Sequence, residues 1–110
     1  MPAIVQIAFH GMDNSPAMEA QVRRRVDELI QFSDRIIACK VALEATHRGQ
    51  RQGTIYRIRI ELVVPGGEIV VSQEPAMNHA HEDLRVAIRD AFDAARRQLQ
   101  DRMRRLDAVR

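Results

Sequence analysis

The sequence predicts an α+β fold in which four strands and two helices follow the order β-α-β-β-β-α. Four segments alternate apolar and polar residues and are separated by turns, which indicates strands. Two other segments carry apolar residues at helical spacing. Because each strand has one apolar face and each helix one apolar stripe, we expect a four-stranded mixed sheet with both helices packed on one face.

A strand and then a helix are predicted in the N-terminal third. Residues 3–10 alternate along one apolar face, as a half-buried strand does. Ser15 offers a helix N-cap and Pro16 a first helical residue, where the N–H that proline lacks would have no partner in any case. We predict that this helix runs to Phe32. Its apolar stripe consists of Met18, Val22, Val26, Leu29 and Ile30.

Three further strands are predicted over residues 36–47, 54–64 and 68–73. The polar loop 47–53 and the turn 65–67 connect them, and both have the length of a hairpin connection. Such strands form an antiparallel meander, whereas the helix between the first two strands makes those two parallel, with a right-handed crossover. The side chains predicted to face the core are Ile37, Cys39, Val41, Leu43, Ala45, Tyr56, Ile58, Ile60, Leu62 and Val64.

The second helix is the longest predicted element, with its cap at Asn78 or His79. Acidic residues lie near its N-terminus and arginines near its C-terminus, which suits the helix dipole. The same arrangement also offers a cationic end to a polyanion, and the pattern leaves both interpretations open. The apolar stripe consists of Leu84, Ile88, Ala91, Phe92, Ala95, Leu99, Met103 and Leu106.

Length and composition indicate a cytoplasmic protein with a single domain over residues 1–110. With 110 residues and 45% hydrophobic content, one two-layer core is expected. The single cysteine, Cys39, cannot form an internal disulfide, and no apolar run is long enough for a membrane span. The net charge is only +2, so any affinity for nucleic acid depends on where the cations lie.

The sequence does not predict an enzyme, a cofactor or a metal site. His79, His81 and Glu82 are of the residue types that bind zinc, but a histidine pair two residues apart at a helix start converges poorly. We interpret these three residues as an exposed cap. Cys39 alternates with core residues, so we predict a buried hydrophobe and not a nucleophile. The turn 65–67 joins two strands and is too short to cradle a phosphate.

Arginines on the two helices form the candidate binding site. If both helices share one sheet face, arginines on their outer surfaces make a basic ridge suited to the phosphates of A-form RNA. Phe9, Phe32 and Phe92 are predicted to be buried, so base stacking is not expected. Each arginine taken alone is also consistent with a solvated side chain. The ridge consists of Arg23, Arg24, Arg25, Arg96, Arg97, Arg104 and Arg105.

Short motifs, in order and spread over nearly the whole chain, are shared with one known family. The motifs are Ser15-Pro16-Ala17-Met18, Asp34-Arg35-Ile36, Pro65-Gly66-Gly67-Glu68, His81-Glu82-Asp83-Leu84, Ala87-Ile88 and Arg97-Gln98-Leu99. Through them the sequence resembles the ribosome hibernation promoting factors, also called ribosome-associated inhibitors or ribosomal subunit interface proteins, in their short form. The chain departs from the family pattern at Arg85 and Arg89, and at Glu28, where a basic residue is common.

The resemblance implies a fold with the same order of elements and a role without catalysis. It implies a protein that binds the rRNA of the small ribosomal subunit, occupies the channel of mRNA and tRNA, and silences translation in idle or stressed cells. No binding to DNA or membranes is expected. The family's basic positions correspond to Arg25, Arg97 and the region 102–105, which adds Arg102 to the candidate site. The alternative is a regulatory protein-interaction module of the same fold that does not bind RNA.

Overall fold

Six elements follow the predicted order in the computed structural model, which describes residues 3–47, 54–73 and 84–108. The elements are β1 (Ile4–His10), α1 (Pro16–Phe32), β2 (Ala38–His47), β3 (Thr54–Val64), β4 (Gly67–Gln73) and α2 (Leu84–Ala108). The predicted helix cap at Asn78 or His79 and the loop 48–53 lie outside the described residues.

The strands form one mixed sheet in the order β1-β2-β3-β4. β1 pairs parallel with β2, and β2 with β3 and β3 with β4 pair antiparallel, as predicted. The register places Ile7 beside Val41, Val41 opposite Ile60, and Ile60 opposite Val71. Side chains of paired residues point to the same face of a sheet. One face is therefore apolar along its whole width.

Both helices pack on this apolar face and close a single core cluster. α1 contacts β1, α2 contacts β3 and β4, and the two helices contact each other. α1 buries Val22, Val26 and Leu29 in this core. The buried residues of α2 are Ala87, Ile88, Ala91, Phe92, Ala94, Ala95 and Leu99. The predicted α+β architecture is confirmed.

The first helix begins as its sequence predicts. The backbone of Ser15 is extended, and its side-chain oxygen accepts a hydrogen bond from the backbone N–H of Met18 at 3.3 Å. Pro16 follows as the first helical residue. At the other end the N–H of Ser33 donates to the carbonyl of Leu29 at 3.0 Å. The backbone of Ser33 is extended, so the helix ends there.

The start of the second strand differs from the prediction. β2 begins at Ala38, two residues later than expected, and Ile37 is 52% exposed although it continues the alternation. Ile36, which precedes the strand, is buried instead. Consecutive side chains of an extended chain point to opposite sides, so the burial of Ile36 turns Ile37 outward, and the alternation that buries odd-numbered residues holds only from Cys39 onward.

No helix among residues 3–47, 54–73 and 84–108 is both long enough and apolar enough to cross a bilayer.

We predict that Ile60→Ala lowers the free energy of unfolding by about 2–5 kcal/mol, because Ile60 is fully buried at the centre of the sheet and the substitution leaves a cavity. The exposed Ile37 is a matched control, and Ile37→Ala should cost less than about 1 kcal/mol. Urea denaturation followed by circular dichroism measures both. Equal losses would contradict the assignment of the core face.

Candidate nucleic-acid interface

Two arginines, Arg97 and Arg104, lie on the outer side of α2, away from the sheet, and share that side because they are seven residues, or two turns, apart. Arg105 is turned about 100° from Arg104, on the flank that faces β4, where it lines a cleft with Glu68 and Ile69. All three arginines are exposed. We call Arg97 and Arg104 the outer arginine cluster.

The outer arginine cluster is only weakly neutralised. The closest atoms of Arg104 and Asp101 are 3.8 Å apart, and both side chains are more than half exposed. Exposed pairs of this kind contribute little, and solvent screens them. Within the part of the chain that the structure describes, Arg97 and Arg105 make no ion pair. These guanidinium groups are therefore available to a polyanion.

The three predicted arginines of α1 point in different directions. Arg23 pairs with Glu19 at 3.3 Å, and Arg25 lies 3.8 Å from Glu28. Arg25 is two turns before Phe32, whose ring contacts α2, so Arg25 lies on the side of α1 that faces α2. Arg23 lies on the opposite flank. Of these three arginines, Arg24 alone is exposed on the outer side of α1. It makes no ion pair with any of the described residues.

Arg102 points towards the sheet and not towards the outer side of α2. Its Nη2 donates to the backbone carbonyl of Glu68 at 3.3 Å, which links α2 to the start of β4. Gly67 makes room for this contact, since a Cβ there would lie 3.3 Å from the Arg102 Nη1. Arg102 thus has a structural partner, and a role for it in RNA binding stays a prediction.

Phe32 is not buried, contrary to the prediction from the sequence. It is the last residue of α1 and is 37% exposed. The guanidinium of Arg96 stacks over its ring at 4.5 Å from the ring centroid. Such a cation–π contact contributes about 0.5–1 kcal/mol at an exposed site. The ring faces α2 because it follows Leu29 by three residues, on the flank of the buried stripe.

A groove of about 510 Å³ lies between the C-terminal ends of the two helices. Gln31 and Phe32 line it from α1, and Gln100, Met103 and Arg104 line it from α2. Arg104 therefore belongs both to this groove and to the outer arginine cluster. We call this feature the helix-end groove.

Arg35 also lines the helix-end groove and contacts α2, which the sequence did not predict. Its Nη2 lies 3.1 Å from the Asp107 carboxylate, and its Nη1 lies 3.8 Å from the Met103 sulfur. The partners are 68 and 72 residues away along the chain, beyond the reach of any local pattern. Arg35 thus links the connection after α1 to the last turns of α2, near Arg104 and Arg105.

The uncovered face of the sheet carries balanced charge. Arg57 lies 3.5 Å from Glu44, Arg59 lies 3.2 Å from Glu61, and Lys40 is the cross-strand partner of Glu61. Alternating signs of this kind do not concentrate positive potential. The helix layer is thus the more cationic of the two surfaces, since five arginines and two aspartates lie between Arg96 and Ala108.

Two of the three departures from the family pattern lie on α2 and one lies on α1. Arg85 and Arg89 are exposed in the first half of the helix, and Arg89 lies 3.2 Å from Asp90. The third departure, Glu28, places its carboxylate beside Arg25. Compared with the family pattern, this chain therefore carries less positive charge on α1 and more at the start of α2.

The described residues offer no assembled site for covalent or metal chemistry. Cys39 is 1% exposed, and burial raises the pKa of its thiol from 9.0 to about 12. The described residues include no group of three or more histidine, cysteine or acidic side chains placed to hold a metal ion. The candidate ligands His79, His81 and Glu82 lie outside the described residues.

Comparison with known proteins gives one family and a set of similar structures. A family model described as "Sigma 54 modulation protein / S30EA ribosomal protein" matches residues 5–107. The crystal structure of the Thermus thermophilus Protein Y N-terminal domain is 23% identical, with a TM-score of 0.67 over 91% of this chain and 98% of that one.

A ribosomal subunit interface protein from Coxiella burnetii is 15% identical, with a TM-score of 0.73 over 90% of this chain and 96% of that one. At these identities the two structures establish similarity of fold alone. Comparison with curated protein sequences finds no match.

We predict that Arg102→Ala lowers the free energy of unfolding by about 1 kcal/mol, because the hydrogen bond to the Glu68 carbonyl is lost. Arg102 and Arg105 both line a cleft between α2 and β4, but Arg105 makes no hydrogen bond to β4, so Arg105→Ala should change stability by less than about 0.5 kcal/mol. Thermal denaturation of both variants is the test. An Arg105 variant as unstable as the Arg102 variant would refute the structural role.

We also predict that the Cys39 thiol makes stability depend on pH. Below pH 9 it is protonated in both folded and unfolded chains, whereas between about pH 9 and 12 only the unfolded chain ionises. Stability is therefore lost as the pH rises through this window, by roughly 1.4 kcal/mol per pH unit.

Urea titrations of the wild type and Cys39→Ala at several alkaline pH values isolate this contribution, because the variant lacks the thiol. Rapid alkylation of Cys39 by iodoacetamide in the folded protein at pH 8 would contradict the burial that underlies the prediction.

Proposed function

This chain belongs to the Sigma 54 modulation protein / S30EA ribosomal protein family, and from this premise we propose that it binds ribosomes without catalysing a reaction. Specifically, we propose that it occupies the mRNA and tRNA channel of the small ribosomal subunit and silences translation in idle or stressed cells. This role belongs in the cytoplasm, where ribosomes work. The family membership and the cationic helix layer support the proposal together.

The observation that carries the proposal is the outer arginine cluster. Arg97 and Arg104 lie two turns apart on the outer side of α2, and Arg24 adds a charge on the outer side of α1. Arginine presents a planar fork of donors that matches a phosphate in two hydrogen bonds. Contacts to phosphates fix the position of a protein on RNA without reading its sequence. A site in folded rRNA is recognised in this way through the arrangement of its backbone.

Silencing by occupancy requires only a stable body in the channel. A rigid two-layer domain excludes mRNA and tRNA from the volume that it fills, so no bond is made or broken. Affinity then comes largely from the release of counterions that neutralised the phosphates. Weak surface pairs such as Arg104 with Asp101 are exchanged for phosphate contacts at little cost, because solvent already screens them.

The alternative function is a protein-binding module that uses the uncovered sheet face. Ile4 is 62% exposed and Val70 is 40% exposed on this face, and a groove of about 330 Å³ there is lined by residues that include Glu44 and Arg57. Balanced charges beside exposed apolar side chains suit a protein surface better than a polyanion. The two functions use opposite faces, so substitutions separate them.

We predict that Arg97→Glu combined with Arg104→Glu weakens binding to isolated small ribosomal subunits by at least about ten-fold at 0.1 M salt. The physical reason is the loss of two phosphate contacts and the repulsion of two new carboxylates. The slope of log affinity against log salt should become shallower by about two. Cosedimentation with purified subunits over a range of salt concentrations measures both quantities.

Lys40→Glu combined with Arg59→Glu is the matched control, because it changes the charge equally on the uncovered sheet face. This control should bind subunits like the wild type. If the control loses binding while the helix variant keeps it, the sheet face is the binding surface and the helix assignment is wrong.

A further inference from the structure

We infer that the helix-end groove binds one unpaired nucleotide of the RNA, with its base inside the groove and its phosphate at the mouth. The inference rests on the proposed function and names a subsite within it. The sequence had predicted no base stacking because Phe32 was expected to be buried. The exposed ring of Phe32 in a groove between two arginine-bearing helices changes that expectation.

The groove has the size and the lining that a nucleobase requires. Its volume of about 510 Å³ falls within the range of small-molecule sites and suits a single nucleotide. The Phe32 ring and the Met103 thioether supply apolar, polarisable contacts for a planar base. Each helix also contributes a side-chain amide, Gln31 from α1 and Gln100 from α2, and amides can hydrogen-bond the edge of a base.

The distribution of charge orients the nucleotide. Asp34 and Asp107 line the groove, and Asp107 already neutralises Arg35. A phosphate is repelled from these carboxylates, whereas the amino group of a base or a ribose hydroxyl can donate to them. Arg104 lines the groove and belongs to the outer arginine cluster, so it offers a phosphate site at the mouth. Its only ion pair among the described residues is the exposed 3.8 Å contact with Asp101.

Arg96 holds the Phe32 ring in place beside the groove. Its guanidinium covers Phe32 at 4.5 Å from the centroid, which restricts the rotation of the ring and adds positive charge beside it. An RNA strand that runs along the outer arginine cluster passes the mouth of the groove. An unpaired base at that point can turn inward while the flanking phosphates stay on Arg97 and Arg104. A fully paired duplex has no such base to offer.

The test uses a single introduced fluorophore. The chain contains no tryptophan, so Phe32→Trp places the only indole of the protein in the groove while keeping an aromatic ring. The probes are a short fully paired RNA duplex and the same duplex with one bulged nucleotide. We expect both RNAs to bind, and the bulged RNA alone to quench the tryptophan fluorescence through stacking.

Phe32→Leu supplies the second arm of the test, since leucine preserves apolar packing but cannot stack on a base. We expect this variant to bind the bulged RNA about ten-fold more weakly than the wild type and to bind the duplex unchanged. Phe32→Tyr should restore the preference for the bulged RNA. Thermal denaturation confirms that each variant is folded.

The outcomes separate the inference from the proposed function. If both RNAs bind equally well and neither quenches the tryptophan, the nucleotide subsite is wrong and RNA binding by the outer arginine cluster stands. If neither RNA nor the small subunit binds, both proposals fail. Quenching by an acidic peptide and not by RNA would overturn the inference and assign the groove to a protein partner.

Discussion

The strand register is the constraint on which the rest of the structure depends. It aligns Ile7, Val41, Ile60 and Val71 across four strands, so the apolar surface of the sheet lies on one face only. Both helices must bury their stripes there, because no second apolar surface of that width exists among the described strands. A shift of one residue in any strand would turn its core side chains to solvent. The division of the molecule into a helix layer and an open sheet face follows directly.

That division also separates two kinds of charged surface. On the open sheet face, arginine and glutamate side chains alternate and pair, as Arg57 does with Glu44. On the helix layer, Arg97 and Arg105 extend into solvent without an ion pair among the described residues. The buried stripe of α2 fixes the helix against the sheet, and the contact between Arg35 and Asp107 links its last turns to the connection after α1. A polyanion therefore meets a rigid cationic surface on one side of the protein only.

The sequence predicted local features well, because local forces determine them. Ser15 and Pro16 specify the start of α1, and alternation specifies which face of each strand is buried. Short motifs indicated the family that the family model then matched over residues 5–107. Exposure at the ends of elements was less predictable. Phe32 is the last residue of α1 and Ile37 precedes the first residue of β2, and both are exposed although each was predicted to be buried.

Contacts between distant residues account for part of what the sequence could not predict. Arg102 was grouped with the arginines predicted to bind RNA, yet its guanidinium donates to the Glu68 carbonyl, 34 residues away. The grouping of Arg23 and Arg25 with Arg24 failed for a local reason, because successive residues of a helix point in different directions and each of the two lies beside a glutamate three or four residues away in α1. A count of arginines treats all of these residues alike. Their directions, and the groove beside Phe32, emerge only when the two helices are packed together.

We propose that RNA binds the outer side of the two helices and not the open sheet face. An NMR titration of isotope-labelled protein with a fragment of small-subunit rRNA distinguishes the two surfaces residue by residue. We expect the largest backbone shifts around Arg24, Arg97 and Arg104, and unchanged signals at Lys40 and Arg59. Shifts concentrated on β2 and β3, with α2 unaffected, would contradict it.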